Sequence, residues 1–79
     1  MSAIADAVTA AGGPVSAAKA CGISRQAVDK WLANECLPRT DYTGETNYAQ
    51  VLAHAAEQRG EGFAVEWLRD NARPKPRAA

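Results

Sequence analysis

PVSAAKACGISRQAVDKWL, residues 14–32, holds two helical patterns separated by a glycine. Ala17, Ala18 and Cys21 recur at the spacing of one helix face, and all are small. Gly22 ends that helix, because glycine enters the left-handed region without a steric penalty. Ile23 follows as a buried anchor. Ser24 is a good N-cap, and Val28, Trp31 and Leu32 then return at the period of a second apolar face. The opposite face of this second helix carries Arg25, Gln26, Asp29 and Lys30, so it presents hydrogen-bonding groups to solvent. Its expected span is Arg25 to Asn34 or Glu35.

Two short helices joined in this way resemble the DNA-binding helix-turn-helix, whose second helix enters the major groove with its first residues at base edges. Ala18 matches the small residue at the crossing, Gly22 the turn glycine, and Val28 and Trp31 the residues that pin the second helix. More narrowly, residues 3–56 resemble the Cro-type repressors of phages and prophages, including the YdaS-like group. The AGG turn at 11–13, the motif, and the segments LPRT at 37–40 and TGETNYA at 43–49 occur there in the same order. Many relatives begin the first motif helix with a phosphate-binding glutamine, where this chain has Pro14. Proline suits a first helical position but offers no donor.

The resemblance implies roles that the residue chemistry fits. Ser24, Arg25, Gln26, Asp29 and Lys30 are the expected base-reading positions. An arginine fork matches guanine and a glutamine amide matches adenine, each good pair giving roughly 1–3 kcal/mol of discrimination. Asp29 is repelled by phosphates, but it stands four residues after Arg25 and is expected to orient that guanidinium. Ser16, Lys19, Arg39 and Thr40 are the expected phosphate contacts, the last two because the segment after a recognition helix runs beside the DNA backbone in such folds. A single motif touches few base pairs, so a homodimer reading two half-sites is expected, weak before DNA is bound.

A length of 79 residues allows one small domain. Alanine is abundant, and no alternating apolar run of strand length appears between turn signals. An all-α bundle of five helices is therefore expected over 1–71, which the resemblance implies to be of the lambda-repressor-like type, followed by a disordered basic tail over 72–79, ARPKPRAA. Ser2 to Ala11 reads as the first helix, with Ile4 and Val8 inward and Asp6 in the first turn. Pro38 breaks the pattern after the motif, and Asp41 to Gly44 continues as a loop. Thr46 is the expected N-cap of a fourth helix with a stripe of Tyr48, Val51, Leu52, Ala55 and Ala56, ended by Gly60. Glu61 to Asn71 reads as the fifth. Its Phe63 and Trp67 are the best interface residues, against the alternative that both pack in the core.

Nine cations and nine anions leave no net charge, which counts against a DNA binder until their distribution is considered. Residues 14–39 carry +2, residues 41–66 carry −4 with Arg59 as their one cation, and the chain beyond Leu68 carries +3. The motif and the tail are thus the two basic regions, and the tail is expected to help hold phosphates. Cys21 and Cys36 lack a metal or redox spacing and are expected to be structural thiols in a bacterial cytoplasm. His54 has no second ligand at metal-binding spacing, and no nucleophile stands with a base. No enzyme, metal, cofactor or small-molecule ligand is expected. Nor is a membrane span, since no apolar run approaches ~20 residues. Repression of transcription at an operator is the leading expectation; a prophage antitoxin-like regulator or a protein-interaction adaptor on the same fold is the alternative.

Overall fold

The computed structural model describes residues 2–73, which form six helices and no strand. Helix α1 (Ala3–Ala10) starts where the Ser2 hydroxyl accepts the N–H of Ala5 at 3.1 Å, and it buries Ile4, Ala7 and Val8. Gly12 and Gly13 both adopt positive φ, which turns the chain into α2 (Pro14–Cys21) with Pro14 in its first turn. Gly22, at φ +70°, caps α2 in the left-handed region, and Ile23 donates its N–H back to Ala18 O. Helix α3 (Arg25–Asn34) begins at Ser24, whose hydroxyl accepts from Ala27 N at 3.3 Å. Both motif helices stand where the spacing put them. Ile23 is half-buried against the core rather than enclosed.

Beyond the motif the structure departs from the expected five helices. Thr40–Thr43 forms an extra one-turn helix, α4, where a loop was expected. The turn is closed by Asp41 N–H to Pro38 O at 3.0 Å and by the Thr43 hydroxyl to Thr40 O at 3.1 Å. Helix α5 (Tyr48–Gln58) is not capped by Thr46. Asn47 holds the cap position without a side-chain bond, and Asp41 reaches across to accept the N–H groups of Tyr48 and Ala49 instead. The core stripe of α5 is rotated as well, to Ala49, Leu52, Ala53 and Ala56, with Tyr48, Val51 and Ala55 at its flanks. Because α5 packs against α1, α2 and α6 together, alanines face the close approaches.

Helix α6 (Val65–Asn71) is shorter than the expected Glu61–Asn71, and Phe63 lies before its first turn. Of its apolar residues only Leu68 is buried completely. Ala72, assigned to the tail by sequence, is also fully buried, and its carbonyl accepts the N–H of Leu37 at 2.8 Å. The packed chain therefore runs past Asn71, and Arg73 stacks 5.6 Å above the ring of Tyr42. The remainder of the expected tail, 74–79, lies outside the described residues.

The core gathers Ile4, Val8, Val28, Leu37, Leu52 and Leu68 as its largest enclosed side chains, with alanines filling between them. Enclosing each such Leu or Ile contributes roughly 1.5–3 kcal/mol, and six large side chains are few for a domain of this size.

Candidate nucleic-acid interface

Packing fixes one face of α3 and leaves the other open. Val28 and Trp31 are buried against the bundle, and the Trp31 ring meets Tyr48 at 5.0 Å between centroids. Arg25, Gln26, Asp29 and Lys30 consequently all lie exposed on the opposite side. The structure brings these four together as the sequence placed them. Arg25 Nε stands 3.9 Å from Asp29 Oδ2, with both side chains more than half exposed, so the two form a loose pair one helical turn apart. Ser24 is exposed at the start of the same face; its oxygen accepts from Ala27, which leaves the hydroxyl proton free to donate.

The expected phosphate contacts divide. Ser16 and Lys19 are exposed on α2, and Arg39 is exposed at the entry to α4. Thr40 differs, because its hydroxyl lies 3.1 Å from that of Thr46, which itself donates to Asp41 Oδ1 at 3.2 Å. The Thr40 proton is thereby directed to Thr46, inside the protein. Behind this segment stands a group that the sequence placed in a loop. The Asp41 side chain is fully enclosed, and Arg69 Nε lies 3.8 Å from its second oxygen. The Tyr42 hydroxyl donates to Arg69 O at 2.8 Å. The segment carrying Arg39 is thus tied to the end of α6, which the sequence did not signal, because Thr46 stood at the expected cap position.

A second surface lies at the far end of α3. Trp67 is 39% exposed and meets Phe63 edge-on at 5.7 Å, so the expected interface pair is brought together and Trp67 is not core. Trp67 borders an open groove of about 390 Å³ shared with Asp6, Glu35 and Asn71. Glu35 caps α3 at φ +56°, a conformation that L-residues other than Asn and Asp seldom adopt.

The other titratable groups do not converge. His54 is exposed and hydrogen-bonds only Gln58, at 3.1 Å. Both cysteines are free thiols, and burial, aided by the charge of Asp41, pushes the Cys21 thiol up to about 11. Among the described residues no group of three His, Cys, Asp or Glu side chains is placed to hold a metal, and no helix is long and apolar enough to cross a membrane.

Over 39 residues the chain is 49% identical to the 8.4 kDa cro protein of Escherichia phage HK022, a match covering 49% of this chain and 51% of that protein. The chain thus matches about half the length of this curated relative. No protein-family model matches the chain, and no solved structure matches it.

Proposed function

We propose that this chain is a phage-type transcription regulator that binds operator DNA through α3 and represses by occluding the promoter. The observation that carries the reading is the division of α3. One side is fastened by Val28 and Trp31, and the other presents Arg25, Gln26, Asp29 and Lys30 from a helix started at Ser24. A rigid helix with an unobstructed polar side fits the major groove, where Arg25 and Gln26, in the first turn, reach base edges. The Asp29 carboxylate, 3.9 Å from Arg25 Nε, attracts the guanidinium and narrows the directions in which its fork donates. Lys19, Arg39 and Ser16 hold backbone phosphates and set the register, and Lys30 adds charge one turn along. Blocking a promoter in this way calls for no bond-making step. Two copies related by a two-fold axis would engage two half-sites, with the Phe63–Trp67 surface as their contact.

The test is a fluorescence-anisotropy salt titration with duplex DNA from upstream of the chain's own gene. Wild type is expected to bind tightly and to weaken by powers of ten as salt rises, because bound cations displace counterions from the duplex. The double variant Arg25→Ala, Gln26→Ala, equally helical, should lose preference for that duplex over scrambled DNA. Asp29→Ala should lower the same preference with smaller loss of total affinity. Weak binding, equal for wild type and double variant, would show that the α3 face reads no sequence. The exposed Trp67 then favours the second reading, an adaptor or antitoxin-like protein that acts through a protein partner.

A further inference from the structure

We propose that Arg59, which lies outside the helix-turn-helix, is a further phosphate-contact residue of the DNA interface. The inference rests on the proposed function. Seven cations fall among the described residues, and three of them face carboxylates: Arg25 with Asp29, Arg69 with Asp41, and Arg73 with Asp70. Lys19, Lys30, Arg39 and Arg59 have no such partner among those residues. The first three belong to the motif or to the segment just after it. Arg59 alone comes from the acidic stretch 41–66, where its neighbours Glu57 and Glu61 make it read as one charge on a solvated acidic face.

The fold removes it from that context. Helix α5 packs along α2, and its end delivers the Arg59 guanidinium to the turn that precedes α2. One guanidinium nitrogen lies 3.3 Å from the position a Cβ on Gly12 would take, and the Ser16 hydroxyl lies 3.1 Å from the same position. The Arg59 guanidinium and the Ser16 hydroxyl thus stand beside the same glycine at the start of α2, where Ser16 is exposed. Gly12 permits this close approach, since at φ +107° a side chain is strained and its Cβ would stand 3.0 Å from that of Ser16. An exposed guanidinium beside an exposed hydroxyl matches the oxygens of a backbone phosphate, and an arginine fork donates to two of them at once. The competing account is that Arg59 serves only the carbonyl end of α5, where any cation is favourable.

The two accounts part in the salt dependence of binding. Each phosphate neutralised contributes about 0.9 to the slope of log affinity against log salt on duplex DNA. Arg59→Gln is expected to reduce that slope by about 0.9 and to weaken operator and scrambled duplexes alike, so that the variant's deficit is about 3-fold larger at 50 mM than at 200 mM salt. Arg59→Lys should keep the slope. A slope unchanged in Arg59→Gln, with helicity and urea midpoint retained, overturns the assignment and leaves the α3 reading untouched. Wild type with no salt-sensitive DNA binding overturns both. Should Arg59→Gln fold poorly, the Arg59 Nε–H resonance of wild type, followed as duplex is added, is expected to shift; an unmoved resonance at saturation again overturns the assignment.

Discussion

Asp41 and Tyr48 stand seven residues apart, and the enclosed carboxylate of the first accepts the backbone N–H of the second. A helix start lacking its own capping side chain is thereby capped from the preceding turn. The same carboxylate also holds Ala49 N–H, the Thr46 hydroxyl and Arg69, so α4, α5 and α6 meet at one side chain. Asp41→Ala should therefore lower stability by about 3 kcal/mol, since it orphans several buried donors at once. Arg69→Ala should cost less than Asp41→Ala, because the pair is long at 3.8 Å and the Asp41 carboxylate keeps its bonds from Thr46, Tyr48 and Ala49. Urea unfolding of both variants checks the ranking, and equal losses would show that the ion pair, not the cap, is what Asp41 contributes.

Glu35 supplies a substitution that should stabilise. It ends α3 at φ +56°, where a Cβ crowds the backbone and glycine does not. Glu35→Gly is expected to raise stability by roughly 0.5–1 kcal/mol in thermal or urea unfolding. Glu35→Ala, which keeps the Cβ, should show no such gain.

The half-buried thiol of Cys21 gives the protein an alkaline weakness. The folded Cys21 has its pKa raised from 9.0 to about 11, first by burial and then by the charge of Asp41. Tyr42 is raised from 10.0 for the same two reasons, in the same order. A raised pKa means that the folded state holds the proton more tightly than the unfolded state. The stabilisation is complete below about pH 9 and is lost as pH climbs through 11. The urea midpoint of wild type should accordingly fall between pH 9 and 11, and fall less in Cys21→Ala. At pH 8 the native thiol should react with a disulfide reagent far more slowly than the unfolded chain.

Neighbouring residues on α6 should separate association from folding. Leu68 is fully enclosed, so Leu68→Ala is expected to cost about 2–4 kcal/mol. Trp67 is exposed, so Trp67→Ser should change stability by less than about 1 kcal/mol and lower self-association in sedimentation equilibrium. Unaltered sedimentation of a wild-type dimer would place its contact elsewhere.

The helix-turn-helix was legible because each of its signals is local. Gly22 ends a helix wherever its backbone turns left-handed, Ser24 caps three residues ahead, and Val28 and Trp31 share a side by helical period alone. Those contacts span at most a few residues, so both motif helices were specified locally, and the burial of Val28 and Trp31 against the bundle then left the other side of α3 exposed. The fate of charges and aromatics beyond the motif is decided over longer distances. Asp41 resembles any loop carboxylate until α5 and α6 close over it, and Arg59 reads as one cation among acids until α5 lies along α2. Trp67 and Leu68 are adjacent and similarly apolar, yet only Leu68 points into the core. Local sequence set the helices and the polar side of the second; which distant charges are buried, and which stand beside that motif, followed from how the helices pack.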